Sequence, residues 1–269
     1  MKCFANGSNY YLQIHQNNSD LPYLILFHGF MGSGKAFSGL IDPLSEICNP
    51  VTIDLKGHGK TTAKPSAKEF DTSEQIKELH SVIDRLQLPK FFLYGYSMGG
   101  RLALQFALEN PSSIKGMILE STHCGISDLE ERKKRMETDE KRAQEIERHF
   151  DKFLSNWTKL PLFQGGSNAS SDYLNILKQQ NPSLMASSLR GFGAGKMPAV
   201  CDQLSTFNFP VGLIAGKNDQ KYVEKMTEMA QLCQQSELEI IDNAAHRVHV
   251  DQPEKLTQFL KHFIQKHHG

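Results

Sequence analysis

The chain has 269 residues, of which 39% are hydrophobic and 22% charged, so it can bury a sizeable core and is not of the disordered class. Lys+Arg and Asp+Glu are both 30, and the formal net charge of +0 argues against a nucleic-acid binder held by phosphate contacts. No run reaches the roughly 18 apolar residues of a membrane span. The N-terminal stretch lacks a basic-then-apolar leader pattern. Five cysteines (Cys3, Cys48, Cys124, Cys201, Cys233) with no C-x-x-C predict a reduced, cytoplasmic protein without a zinc site or a disulfide framework.

The first strand candidates are 10–14, 24–27 and 51–54, followed by a helical pattern over 72–86. A strand at 91–94 runs into a helix at 98–108, and 117–119 is the next strand. From about 121 to 203 no strand is predicted. A charged helical stretch over 128–152 leads to 157–163, a small polar loop at 164–171, and helical pieces containing Gly191, Gly193 and Gly195. Most charges of 128–152 are expected to be solvated i,i+4 partners. Alternation then resumes with strand 211–215, helix 222–233, strand 238–241 and helix 253–267. Continuous apolar strands suit a sheet covered on both faces. The prediction is an α/β fold: a mostly parallel, doubly wound sheet formed by 1–120 and 204–269, with a helical cap inserted over 121–203.

The most informative segment is Gly95-Tyr96-Ser97-Met98-Gly99, a G-x-S-x-G pattern between an apolar strand and a helical pattern. That context presents a serine on a strained strand-to-helix turn, at a helix N-terminus that favours developing negative charge. A serine hydroxyl needs a histidine to take its proton and a carboxylate to orient that histidine. Asp219 follows the strand at 211–215. His246 follows the strand at 238–241. Ser97, Asp219 and His246 thus stand in the chain order used by α/β-hydrolases. Asp242 and His249 are rivals for the acid and base. His28-Gly29-Phe30 follows an early strand and places the backbone N–H groups of Phe30 and Met98 as oxyanion donors. His28 and His58 read as structural histidines bracing their loops.

Over nearly its whole length the sequence resembles the α/β-hydrolase superfamily. Within it, Gly95-Tyr96-Ser97-Met98-Gly99-Gly100-Arg101, the 130–135 stretch, Asn156-Trp157-Thr158-Lys159-Leu160-Pro161-Leu162-Phe163 and Ala245-His246-Arg247-Val248-His249 resemble the 2-succinyl-6-hydroxy-2,4-cyclohexadiene-1-carboxylate (SHCHC) synthase family of menaquinone biosynthesis. The resemblance implies a lyase that eliminates pyruvate from 2-succinyl-5-enolpyruvyl-6-hydroxy-3-cyclohexene-1-carboxylate with no metal or organic cofactor. It implies that Ser97, activated by His246 and Asp219, acts as a base. It makes Arg101 and Arg135 carboxylate-binding residues, with Arg132 an adjacent candidate, and makes Tyr96 and Trp157 pocket-lining. Lys178 is the basic residue nearest the place of a further cap arginine. Ala245 and Lys56 depart from a usual glycine and proline. The expected partner is a small polycarboxylate, with no nucleic acid and no membrane span, acting on a monomer or homo-oligomer. A serine hydrolase (carboxylesterase, thioesterase or carbon–carbon bond hydrolase) and a non-catalytic ligand-binding protein remain alternatives on the same scaffold.

Overall fold

The computed structural model describes residues 1–160, 163 and 171–268. Among them the strands are β1 (Lys2–Ala5), β2 (Ser8–Ile14), β3 (Tyr23–Phe27), β4 (Asn49–Ile53), β5 (Phe91–Tyr96), β6 (Ile114–Glu120), β7 (Val211–Gly216) and β8 (Ser236–Ile241). The α-helices are α1 (Ser38–Ser45), α2 (Thr72–Asp84), α3 (Met98–Glu109), α4 (Leu129–Arg148), α5 (Phe150–Trp157), α6 (Ser171–Lys178), α7 (Pro182–Phe192), α8 (Gln220–Leu232), α9 (Val248–Asp251) and α10 (Pro253–His268). Pro161, Leu162 and 164–170 of the polar stretch lie outside the described residues.

The strands form one sheet in the order β1-β2-β4-β3-β5-β6-β7-β8. β1–β2 and β2–β4 are antiparallel, and every later neighbour is parallel. The continuous apolar strands are explained by burial on two faces. Ile25, Phe27, Leu93 and Leu119 pack with Ile76, Leu79, Leu102 and Phe106 of α2 and α3. Their sequence neighbours Leu24, Leu26, Phe92 and Ile118 point to the other face, against Leu40 and Leu44 of α1 and Leu260 and Phe263 of α10. The strand order reverses at β3, with β4 on one side and β5 on the other. In an open α/β sheet such a reversal leaves a crevice beyond the carboxyl ends of the strands. The Phe30 loop after β3 and the Ser97–Met98 turn after β5 both arise there.

Between β6 and β7 the described chain is helical. α4–α7 share a cluster of their own, including Ile146, Phe153, Leu154, Met185 and Leu189, which meets Met31 of the sheet side. The charged α4 starts at Asp128, whose side chain accepts the Glu131 N–H at 2.8 Å. Glu130 and Glu131 in its first turn suit the positive end of the helix dipole.

Among the elements that the hydrophobic pattern did not mark are β1 and α1. β1 is a four-residue edge strand. α1 buries only Leu40 and Leu44, carries Pro43 inside it and follows Gly32-Ser33-Gly34, so it reads as loop in sequence. Cysteine usage is a correction: Cys124 and Cys201 form a disulfide across 77 residues, where none was expected. Cys3, Cys48 and Cys233 are free and buried. Lys56, the departure before Gly57-His58-Gly59, is buried and pairs with Glu78 at 2.8 Å and Glu69 at 3.2 Å. Glu78 also accepts the Tyr10 hydroxyl at 3.0 Å, which ties the loop after β4 to α2 and β2. Among the described residues no helix is long and apolar enough to cross a membrane.

Candidate active site

β5 ends at Tyr96 and α3 begins at Met98, which leaves Ser97 alone at the turn with φ 51° and ψ −109°. Side chains rarely adopt this backbone, so the surroundings must impose it. The Ser97 N–H donates to the Glu120 carbonyl at 2.8 Å, and the Ser97 carbonyl accepts from Thr122 Oγ1 at 2.7 Å. Gly99 is required for close approach, because a Cβ there would fall 2.3 Å from the Phe27 carbonyl oxygen.

Ser97 Oγ lies 3.0 Å from His246 Nε2, and His246 Nδ1 lies 2.6 Å from Asp219 Oδ2. Asp219 occupies the N-cap position of α8, yet its side chain makes no capping bond and turns to His246 instead. His246 and Asp219 are 4% and 7% exposed, so the pair is shielded from water. A carboxylate at Nδ1 holds the proton there and leaves Nε2 as the acceptor for the serine hydroxyl. The rivals are engaged elsewhere. His249 Nδ1 lies 2.8 Å from Glu120 Oε1, and the exposed Asp242 accepts from Lys217 at 2.7 Å. Nδ1 of His28 bonds the Gly29 carbonyl at 2.8 Å and its Nε2 accepts the Leu55 N–H at 2.9 Å, while burial lowers its pKa to about 4. His58 Nδ1 bonds the Lys56 carbonyl at 2.9 Å, and burial with His28 nearby lowers its pKa to about 3. Both act as neutral braces.

The Phe30 and Met98 N–H groups have no acceptor among the described residues. Met98 opens α3, where helix amides have no intrahelical partner. Both residues border a cavity of about 690 Å³ that also exposes Ser97 and His246. A developing oxyanion in that space would meet two main-chain donors.

The same cavity is also lined by cations. Arg101 borders the cavity although it is 8% exposed, with Nη1 donating to the Phe192 carbonyl at 3.1 Å. Burial and the positive charge of Arg135 lower its pKa to about 10. Arg135 is held through Nε by both oxygens of the buried Asp139, at 2.9 and 3.0 Å. That leaves its two terminal nitrogens for a ligand. Arg142 lies 3.7 Å from the same Asp139 and 5.9 Å over the Trp157 ring, and its pKa is lowered by burial and then by Arg135. Burial is the larger cause of each lowered pKa, and the like charge of Arg135 adds to it. An anionic ligand with more than one carboxylate would offset that like charge.

The sequence profile of the alpha/beta hydrolase fold matches residues 22–154. A Bacillus subtilis (strain 168) protein provisionally named 2-succinyl-6-hydroxy-2,4-cyclohexadiene-1-carboxylate synthase is 33% identical over 246 residues, covering 90% of this chain and 89% of the relative. The chain belongs to this synthase family. A synthase of that name from Enterobacter sp. (strain 638) is 27% identical over 246 residues, covering 91% of this chain and 92% of its own. The solved structure titled MenH from S. aureus superposes with a TM-score of 0.89 at 28% identity, covering 97% of this chain and 99% of that one.

Within the synthase framework, the structure brings Ser97, Asp219 and His246 together and lines one cavity with Phe30, Met98, Tyr96, Arg101, Arg135 and Trp157. Trp157 both packs and faces the cavity: it stacks on Phe153 at 5.5 Å and meets Phe30 edge-on at 5.6 Å. Two expected substrate-binding residues are corrected. Arg132 does not border the cavity, because its Nε and Nη2 donate to the carbonyls of Gly195 and Lys196 at 2.8 and 3.1 Å. Lys178 is exposed at the end of α6 and is also absent from the lining. Arg142 is a further cation that borders the cavity. In the sequence Arg135, Asp139 and Arg142 fall at i, i+4 and i+7, one face of a helix, but no residue there marks that face as the inward one. Arg247 also borders the cavity, with its guanidinium 4.3 Å over the Tyr173 ring.

Proposed function

We infer that the protein catalyses the pyruvate elimination of menaquinone biosynthesis, converting 2-succinyl-5-enolpyruvyl-6-hydroxy-3-cyclohexene-1-carboxylate to SHCHC. Membership of the synthase family supports this reading. The single observation that carries it at the level of residues is that the Ser97–His246–Asp219 chain and Arg101, Arg135 and Arg142 line one cavity.

In this reading the arginines hold the substrate carboxylates and set the ring over Ser97. His246 takes the Ser97 proton, and the resulting alkoxide removes the acidic ring proton. The freed electron pair passes toward the substrate carbonyl, where the Phe30 and Met98 amides meet the negative charge. The pair then returns to form the C2=C3 double bond as the existing C3=C4 pair shifts to C4=C5 and the C5–O bond to the enolpyruvyl group breaks. The bonding electrons leave on that oxygen as an enolate, which takes a proton at carbon to become pyruvate. Asp219 stabilises the imidazolium while the relay is charged.

The helical stretch 121–203 acts, in the same proposal, as a cap that supplies recognition while 1–120 and 204–269 supply the chemistry. We further propose a small polycarboxylate as the partner, with no nucleic-acid role, and a cytoplasmic location. Cell fractionation tests the location: recovery of the protein with cytoplasmic markers supports it, and recovery with exported or membrane fractions overturns it.

The decisive assay gives purified protein the enolpyruvyl substrate and follows pyruvate. Wild type releases pyruvate, and Ser97→Ala falls by roughly 10³-fold or more in kcat. Absence of pyruvate release, together with rapid turnover of p-nitrophenyl esters and phosphonate labelling of Ser97, would move the protein to the hydrolase alternative.

A further inference from the structure

His123 lies in the turn that leads from β6 toward α4, and the mechanism above gives it no task. It is 9% exposed and borders the cavity together with Arg101, Arg135 and Tyr222. Its Nδ1 accepts the Gly125 backbone N–H at 3.1 Å. A backbone amide can only donate, so Nδ1 carries no proton and the neutral ring holds its hydrogen on Nε2. Nε2–H has no acceptor among the described residues. Nε2 is not one of the sealed, unpartnered polar atoms of the interior, so it is open to the space that His123 borders, and a donor open to a cavity is satisfied by what the cavity binds.

Two features keep the ring in this state. Burial, followed by the charges of Arg101 and Arg135, lowers the His123 pKa to about 3, so the imidazole stays neutral throughout the ordinary pH range. The turn itself is clamped. Cys124 is bonded to Cys201, and the Val200 N–H donates to the Cys124 carbonyl at 2.7 Å. Gly125 has φ +122°, and a Cβ there would lie 2.4 Å from Ala199 Cα, so the chain can take this path only with glycine. The Gly125 amide is thereby fixed as the donor that selects the tautomer.

We propose that His123 contacts the substrate, donating its Nε2–H to a carboxylate oxygen held on the Arg101–Arg135 wall. It adds a directional hydrogen bond to two guanidinium charges without adding a third positive charge to a crowded region. Arginine alone attracts any anion, whereas a neutral donor at a fixed angle discriminates between carboxylate placements. This role rests on the reading that an anionic substrate occupies the cavity.

Two variants and one spectroscopic measurement test it. His123→Leu removes the donor and keeps the bulk. Its KM for the enolpyruvyl substrate should rise roughly tenfold or more, the scale of a lost hydrogen bond to a charged group, with kcat and melting temperature nearly unchanged. His123→Gln retains a neutral amide donor at similar reach and should restore most of the affinity. An unchanged KM in the leucine variant overturns the proposal, as does a glutamine variant no better than leucine. Nitrogen-15 NMR of the wild type should show His123 as the Nε2–H tautomer with no titration from pH 8 to 5.5. In Ser97→Ala protein saturated with the enolpyruvyl substrate, that proton should move downfield. An Nδ1–H tautomer, a titration in that range or an unmoved resonance overturns it equally. Because the tautomer is read without turnover, a wild type that releases no pyruvate would sink the proposed activity while leaving the fixed neutral donor separately tested.

Discussion

The sheet side and the helical insertion position their functional groups by different means. On the sheet side the backbone does the placing. Ser97 is locked by the bonds of its own main chain to Glu120 and Thr122, Met98 offers an amide because it opens a helix, and Asp219 and His246 follow β7 and β8. On the insertion the side chains do it. Arg135 and Arg142 reach the cavity from the length of α4 and are steadied by Asp139, a partner on the same helix. Proton transfer demands fixed sub-ångström geometry, which main-chain constraint supplies. Carboxylate recognition tolerates adjustment, which long guanidinium side chains supply.

The largest effect expected on this contrast is at Asp219. Asp219→Asn leaves the shape intact but removes the charge that orients His246, so kcat should fall by roughly 10³- to 10⁴-fold with KM little changed. A loss under tenfold would detach the relay from the chemistry. Next comes the Cys124–Cys201 bond, which joins the two ends of the insertion across 77 residues. Cys201→Ala should lower unfolding free energy by about 2–4 kcal/mol, read by denaturant titration against a reductant-treated control. Equal stability of variant and wild type without reductant would show that the bond does not staple the insertion.

Arg135→Ala and Arg142→Ala should each reduce kcat/KM by roughly 10- to 100-fold, chiefly through KM, as expected for lost charge-assisted bonds. Arg132→Ala and Lys178→Ala should stay near wild type in KM. If Lys178→Ala matched Arg142→Ala, the assignment of the outer cation would have to be reversed. The last effect concerns acid. His28 and His58 have folded-state pKa values lowered from 6.5 to about 4 and about 3. Below pH 6.5 the unfolded chain therefore binds protons that the folded chain refuses, and stability is lost as pH falls. Each histidine contributes a slope of up to about 1.4 kcal/mol per pH unit between 6.5 and its folded pKa. Melting temperature measured from pH 7.5 to 4.5 should show this decline, and His58→Asn should flatten it. A profile equally steep in that variant would place the acid sensitivity elsewhere.

What could be read from sequence follows the same division. The serine, its base and its acid were legible because each directly follows an apolar strand, and strand ends in a parallel sheet converge at one edge. The neutral histidines His28 and His58 were legible for the glycines beside them. The insertion was harder. Twenty residues of α4 mix acids and bases, and nothing in one sequence fixes which face turns inward, so Arg132 was included and Arg142 missed. Lys178 was assigned by resemblance of position, but its side chain lies at the exposed end of its helix. The disulfide was hidden because its cysteines are 77 residues apart and belong to no spacing motif. α1 was hidden by the proline inside it.

The buried Lys56–Glu78 pair makes these two positions historically dependent on one another. Removing either partner alone strands a charge in the interior, a change on the order of 3–5 kcal/mol, whereas exchanging both for well-packed apolar residues can be neutral. The lysine is tolerated here alongside the glutamate and the Tyr10 hydroxyl that share its site. Epistasis of this kind predicts that chimeras crossing over between 56 and 78 misfold more often than their sequence divergence warrants.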